Sequence, residues 1–125
     1  MDKIIIKDLQ VYAYHGVAPE EKINGQMFLA SLKIGVSLEK PAASDDVNDT
    51  LSYADVCNDI QMVIQSKNHN LIESVAMDII GYLFRTYTSI AEINILLKKP
   101  WAPMGHHLKY AAVELERKRG DKNEW

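Results

Sequence analysis

The chain has 125 residues, 47% hydrophobic and 25% charged, the composition of one ordinary globular domain with its own core. Its net charge is −3 and acids and bases are interleaved, which argues against a nucleic-acid binder built on a basic face. No apolar run approaches the roughly 20 residues of a bilayer span, and Met1-Asp2-Lys3 leads into an alternating segment with no cleavage site, so neither a membrane anchor nor a signal peptide is expected.

In chain order, Ile4 to Tyr14 reads as a strand whose alternation changes phase near Asp8, as a β-bulge would make it do. Gly16 to Gly25 is then a connection longer than a tight turn. Phe28, Ala30, Leu32, Ile34, Val36 and Leu38 alternate with mostly polar residues, the pattern of a long half-buried strand. The polar stretch Lys40 to Thr50 is expected to be a loop. Ser52 is a good N-cap, and Val56, Ile60, Val63 and Ile64 follow at helical spacing. On that helix Cys57, the single cysteine, excludes an internal disulfide and fits a reducing cytoplasm. It reads as a small apolar residue, with a catalytic thiol as the alternative.

A second helix is expected after Asn70, where Ile72, Val75, Ala76, Ile79, Ile80, Leu83 and Phe84 form a wide apolar stripe. Ile93, Ile95 and Leu97 restore strand alternation, which stops at Pro100 and resumes from about His107 to Glu116. The stretch Arg117 to Trp125 is charged and expected to fray, so the domain is placed at 1–118 with a tail over 119–125. The order β-β-α-α-β-β gives an α+β fold: a four-stranded antiparallel sheet with two helices on one face. Such a sheet has two long edges, normally covered or paired, so a homo-oligomer is expected.

Several polar residues stand out. Lys99 shares strand parity with Ile93, Ile95 and Leu97, whereas Lys98 points the other way. Lys99 is therefore expected to be partly desolvated and suited to proton transfer, and Lys98 to be an ordinary solvated lysine. Glu73 lies three residues after Asn70, the spacing of a capping box that would simply start a helix. Tyr53 follows the cap Ser52 and either projects from the helix start or packs under the preceding loop. Glu21, next to Glu20, would by default be a surface loop residue. The four histidines, His15, His69, His106 and His107, show neither H-x-H nor H-E-x-x-H spacing, and one cysteine offers no thiolate cluster, so no metal site is expected.

Four segments taken together carry more than any one of them: Tyr14-His15-Gly16-Val17-Ala18-Pro19-Glu20-Glu21, Leu51-Ser52-Tyr53-Ala54-Asp55-Val56, Asn70-Leu71-Ile72-Glu73-Ser74-Val75-Ala76 and Leu97-Lys98-Lys99-Pro100-Trp101-Ala102-Pro103. With these separations, and with Asn24-Gly25-Gln26-Met27-Phe28 and Ser44-Asp45-Asp46, the chain resembles the dihydroneopterin aldolase family from about Ile4 to Arg117. The resemblance implies a tunnelling fold whose subunits join edge to edge into a β-barrel, a tetramer ring stacked into an octamer, with the site at a subunit interface. It implies a small-molecule pterin substrate, 7,8-dihydroneopterin, cleaved in folate biosynthesis to 6-hydroxymethyl-7,8-dihydropterin and glycolaldehyde. No cofactor, metal or Schiff base is implied, because the C=N bond of the dihydropterin accepts the electrons.

In this reading Glu73 and the backbone of Ile72 hold the pterin edge, and Tyr53, from a neighbouring subunit, stacks on the ring and assists reprotonation. Lys99 shuttles protons and Glu21 organises the loop over the side chain. Epimerisation at C2′ is an expected side activity. Trp101 and Tyr110-Ala111-Ala112 depart from the family pattern and could narrow the side-chain pocket. The rivals are an epimerase of dihydroneopterin triphosphate and a non-catalytic ring that binds a pterin or purine. The first would want more basic residues than Lys22, Lys98, Lys99 and Lys109.

Overall fold

The computed structural model describes residues 1–121. Strands β1 (Lys3–Ala13), β2 (Gln26–Gly35), β3 (Glu92–Lys99) and β4 (Ala111–Lys118) form one antiparallel sheet in the order β1-β2-β3-β4. Helices α3 (Tyr53–Ser66) and α4 (Ile72–Thr86) lie between β2 and β3 in sequence. Two shorter helices, α1 (Pro19–Asn24) and α2 (Glu39–Ser44), interrupt the connections before them.

Alternation explains which face is covered. Phe28, Ala30, Leu32 and Ile34 of β2 and Ile93, Ile95 and Leu97 of β3 are buried in one core with Val56, Ile60 and Ile64 of α3 and Val75, Ile79, Ile80 and Leu83 of α4. Strand β1 joins this core only because its phase shifts. The register moves from Ile6↔Leu32 to Leu9↔Ala30, so β1 spends one extra residue, and Asp8 takes the left-handed conformation at φ 55°. Ile4 and Ile6 before the bulge, and Val11 and Ala13 after it, then share the buried face. Ser31 pays for the strain locally: its Oγ accepts from the Asp8 N–H at 2.9 Å and donates to Asp8 Oδ1 at 3.0 Å.

The same bulge overturns the expectation for Lys98. Its ammonium lies 2.8 Å from Asp8 Oδ1, its side chain is largely covered, and it stands 4.8 Å from the centroid of the Tyr110 ring. Lys98 does point away from Lys99. Its chain is long enough to cross β2 and reach the carboxylate that the bulge turns onto that face.

The remaining differences lie in connections. The stretch expected to be a loop over Lys40 to Thr50 contains α2 and a 3-10 turn at Val47–Asp49. Neither buries a residue, so neither leaves a hydrophobic period to read. Pro41 is tolerated because it sits in the first turn of α2, where an N–H has no partner to lose. Strand β4 begins at Ala111 rather than near His107, because its pairing runs from Lys99↔Ala111 to Glu92↔Lys118 and Pro100 ends the partner strand. The Ser52 cap is present, its Oγ accepting from the Asp55 N–H. Asn70 does not cap α4; the N-cap is Leu71, and the Asn70 amide oxygen accepts from Lys22 Nζ at 2.8 Å.

Part of the segment expected to fray is anchored. Arg117 and Lys118 belong to β4, and the Arg119 guanidinium donates to the carbonyls of Ile90, Phe84 and Tyr87 at 2.7, 3.1 and 3.0 Å. The rest of the expected tail, residues 122–125, lies outside the described residues. Arg119 closes the C-terminal end of α4, where orphan carbonyls attract a cation. Arg119→Ala is expected to lower unfolding free energy by about 1–2 kcal/mol, with Arg119→Lys recovering only part, as read from urea midpoints.

Candidate active site

At the end of the sheet, where β1 leaves it and β3 ends, a cavity of about 300 Å³ is lined by Val17, Glu21, Leu71, Ile72, Glu73 and Lys99, among others. Its charged centre is the ion pair between Lys99 Nζ and Glu21 Oε2. Both groups are withdrawn from water: Glu21 is 8% exposed, and the Lys99 side chain 15%. Strand parity puts Lys99 there, on the face of Leu97 and Ile95.

Glu21 arrives by a different route. It is the third residue of α1, and its Oε1 reaches back to accept from the Ala18 N–H at 3.2 Å. Its Oε2 accepts from Gln26 Nε2 at 2.9 Å. Gly16 makes room for it: a Cβ there would stand 2.3 Å from the Glu21 Cδ, and the glycine's φ of +146° disfavours a side chain in any case. Burial pushes the Glu21 carboxyl up, but hydrogen bonds from Lys99, Gln26 and the Ala18 N–H outweigh it, and the group titrates below its ordinary value.

Glu73 and Ile72 form the other wall. They are the first two residues of α4, where N–H groups have no partner within the helix, and the Glu73 carboxylate is exposed at the cavity. The fold therefore brings Glu21, Ile72, Glu73 and Lys99 together from three distant parts of the chain. It does not bring Tyr53. That ring, 68% exposed at the start of α3, borders a separate cavity of about 380 Å³ with Ile4, Leu38 and Leu51. Trp101 is exposed and does not line the site; Ala102, Pro103 and Met104 do, so within one chain the tryptophan does not narrow the cavity. Tyr110 lies against Lys98.

Gln26 and Gly16 were not singled out as site residues from sequence. Gln26 did carry a signal: it shares parity with Phe28 and Ala30, so a polar side chain stands on the core face. Its Oε1 is buried with no hydrogen-bond partner among the described residues. Cys57 lies away on α3, where burial pushes its thiol up, the wrong direction for a nucleophile. Among the described residues no group of His, Cys, Asp or Glu is arranged to hold a metal ion, and no helix is long and apolar enough to cross a membrane.

A four-stranded meander sheet backed by two helices is the architecture of the tunnelling-fold proteins. Within that class, the model of the family described as dihydroneopterin aldolase matches residues 4–116. The dihydroneopterin aldolase of Streptococcus pyogenes serotype M1 is 35% identical over 119 residues, covering 95% of this chain and all of that one. Dihydroneopterin aldolase 1 of Arabidopsis thaliana is 34% identical, covering 94% of this chain and 82% of its own. The crystal structure of the Escherichia coli dihydroneopterin aldolase in complex with neopterin superposes with a TM-score of 0.86 at 29% identity, over 94% of this chain and 99% of that one. The chain belongs to the dihydroneopterin aldolase family.

The Glu21–Lys99 pair has a consequence for stability. Because the folded carboxyl titrates below its ordinary 4.5, Glu21 contributes stability that is complete above that value and lost as pH falls through the lower folded one. Lys99→Met strands the carboxylate, and burial then draws its titration upward. The variant is expected to be about 2–4 kcal/mol less stable than wild type at pH 7, with the gap closing under acid conditions where Glu21 is protonated in both. Paired urea titrations across that pH range read this directly.

Proposed function

We propose that the Glu21–Lys99 pair performs the proton transfers of a retro-aldol cleavage, on a pterin held by Glu73 and the backbone of Ile72. The observation that carries this reading is the pair itself: a lysine and a glutamate in contact, both withdrawn from water, opposite an exposed carboxylate. The guanidine-like edge of a pterin offers two adjacent N–H donors, and a carboxylate accepts both. Glu73 lines the cavity where it could do so, and Ile72 lies beside it.

With 7,8-dihydroneopterin so held, its side chain points toward Lys99. Lys99, held in place by the ionised Glu21, relays the 2′-hydroxyl proton, directly or through a water, giving up one proton as it takes the other. As C2′ becomes a carbonyl, the C1′–C2′ bond breaks and its electrons pass through C6 to the ring imine nitrogen, which is protonated. Glycolaldehyde leaves. Reprotonation of the resulting enamine at C1′, with loss of the proton from the ring nitrogen, restores the C=N bond and gives 6-hydroxymethyl-7,8-dihydropterin. The ring is its own electron sink, so the step calls for neither a metal nor a Schiff base. If glycolaldehyde is recaptured on its other face before leaving, the 2′-epimer results.

Tyr53 belongs in this scheme only from a second copy of the chain. Its exposure at a separate cavity, and the unpaired outer edges of β1 and β4, support a ring of subunits in which one copy's Tyr53 completes another's site. A triphosphate substrate is disfavoured by charge placement, since Lys98 faces Asp8 on the opposite side of the sheet. The thiol of Cys57 suits a reducing cytoplasm.

Purified protein incubated with 7,8-dihydroneopterin, with and without a chelator, is expected to release both products at the same rate in either case. Formation of the 2′-epimer alone would overturn the cleavage reading. Lys99→Met is expected to cut turnover about 10²–10⁴-fold, the range for losing an acid–base group, while neopterin affinity in equilibrium titrations stays within about threefold. Glu73→Gln is expected to do the reverse to affinity, weakening neopterin by about 10–100-fold through loss of the charged bidentate pair.

A further inference from the structure

His15 is 1% exposed and belongs to neither wall of the site, yet both of its ring nitrogens are engaged. Nε2 lies 2.8 Å from the Ile64 carbonyl oxygen, near the end of α3, and Nδ1 is 2.9 Å from the backbone nitrogen of His69. A carbonyl can only accept and a backbone N–H can only donate. The ring is therefore neutral, with its proton on Nε2 and a lone pair on Nδ1. The next residue adds a second rung, since the Gly16 N–H donates to the His69 carbonyl at 3.0 Å. Both peptide groups of His69 are thus held by the His15-Gly16 pair.

His69 in turn grips α4. Its Nδ1 is 3.0 Å from Ser74 Oγ, and its Nε2 lies 2.9 Å from Asp78 Oδ2, close but not aligned as a hydrogen bond. The segment fixed in this way is the one that leads into Ile72 and Glu73. The segment that fixes it leads through Gly16 into Glu21. His15 accordingly stands at the joint between the two walls of the cavity, and only its Nδ1 side faces the α4 wall.

We propose that His15 is a positioning residue for pterin binding, acting by accepting the His69 N–H and so setting where Ile72 and Glu73 stand relative to Glu21 and Lys99. This rests on the reading of Ile72 and Glu73 as the pterin-binding edge. The two nitrogens can be separated by substitution. His15→Asn places an amide oxygen where Nδ1 is, so it keeps the His69 bond and loses the Ile64 bond. His15→Gln reaches the Ile64 carbonyl and loses the His69 bond. Each variant forfeits one buried hydrogen bond, so a purely structural role would cost both the same.

The test is equilibrium binding of neopterin, with the single-turnover rate at saturating 7,8-dihydroneopterin as the second readout. His15→Asn is expected to bind neopterin within about threefold of wild type, and His15→Gln about tenfold more weakly, the worth of one hydrogen bond. The single-turnover rate should change little in either. Equal weakening in both variants, or none in His15→Gln, overturns the proposal. Should either variant fail to fold, ¹⁵N NMR of the wild-type His15 ring at neutral pH decides: a proton on Nε2 and none on Nδ1 sustains the proposal, and any other state overturns it. Glu73→Gln, run alongside, tests the pterin-binding edge separately. If that variant keeps full affinity, the site reading fails whatever His15 does.

Discussion

The ion pair between Glu21 and Lys99 is the constraint around which this molecule is arranged. Two opposite charges taken out of water are tolerable only when their remaining hydrogen-bonding capacity is met and they stay in contact. The fold meets that condition from several directions. Strand parity turns Lys99 inward, α1 brings Glu21 back over the end of the sheet, Gln26 and the Ala18 N–H hold its carboxylate, and Gly16 leaves space for it. The hydrogen bonds that Glu21 accepts outweigh the cost of its burial, so its carboxylate stays ionised in the folded protein.

The sheet that carries Lys99 is not regular. The bulge at Asp8 lets both halves of β1 bury their apolar residues on one face, so β1 stays on the core as far as Ala13 and delivers His15 and Gly16 to the site. Asp8, Ser31 and Lys98 satisfy the bulge on the opposite face. Neighbouring lysines thus serve unlike ends: Lys98 stabilises the irregularity that shapes the sheet, and Lys99 stands in the cavity that the shape creates.

Elements with a strong period were legible residue by residue. The stripe from Ile72 to Phe84, the alternation from Phe28 to Ile34 and the phase change at Asp8 all correspond to observed elements, because each buries a face and burial leaves a pattern. Short helices α1 and α2 left no comparable pattern. Only Glu21 is buried in α1 and nothing in α2, so their sequences obey local capping and turn chemistry alone. The Asn70–Glu73 spacing misled for a related reason. A capping motif describes a local bond, and here Lys22, 48 positions away in the chain, claims the asparagine instead.

The sequence by itself determined the class of fold, the parity that makes Lys99 the inward lysine, and the family, because burial periods and four short motifs are properties of residue order. What only tertiary structure decided is which groups meet. The contact of Glu21 with Lys99, the role of Gln26, the anchoring of Arg119 and the linkage of His15 to His69 join segments that lie far apart in the chain or depend on a connection's exact path. Periodicity records which side of an element faces inward. It carries no information about which partner waits there, since that depends on how the connections bring distant elements together.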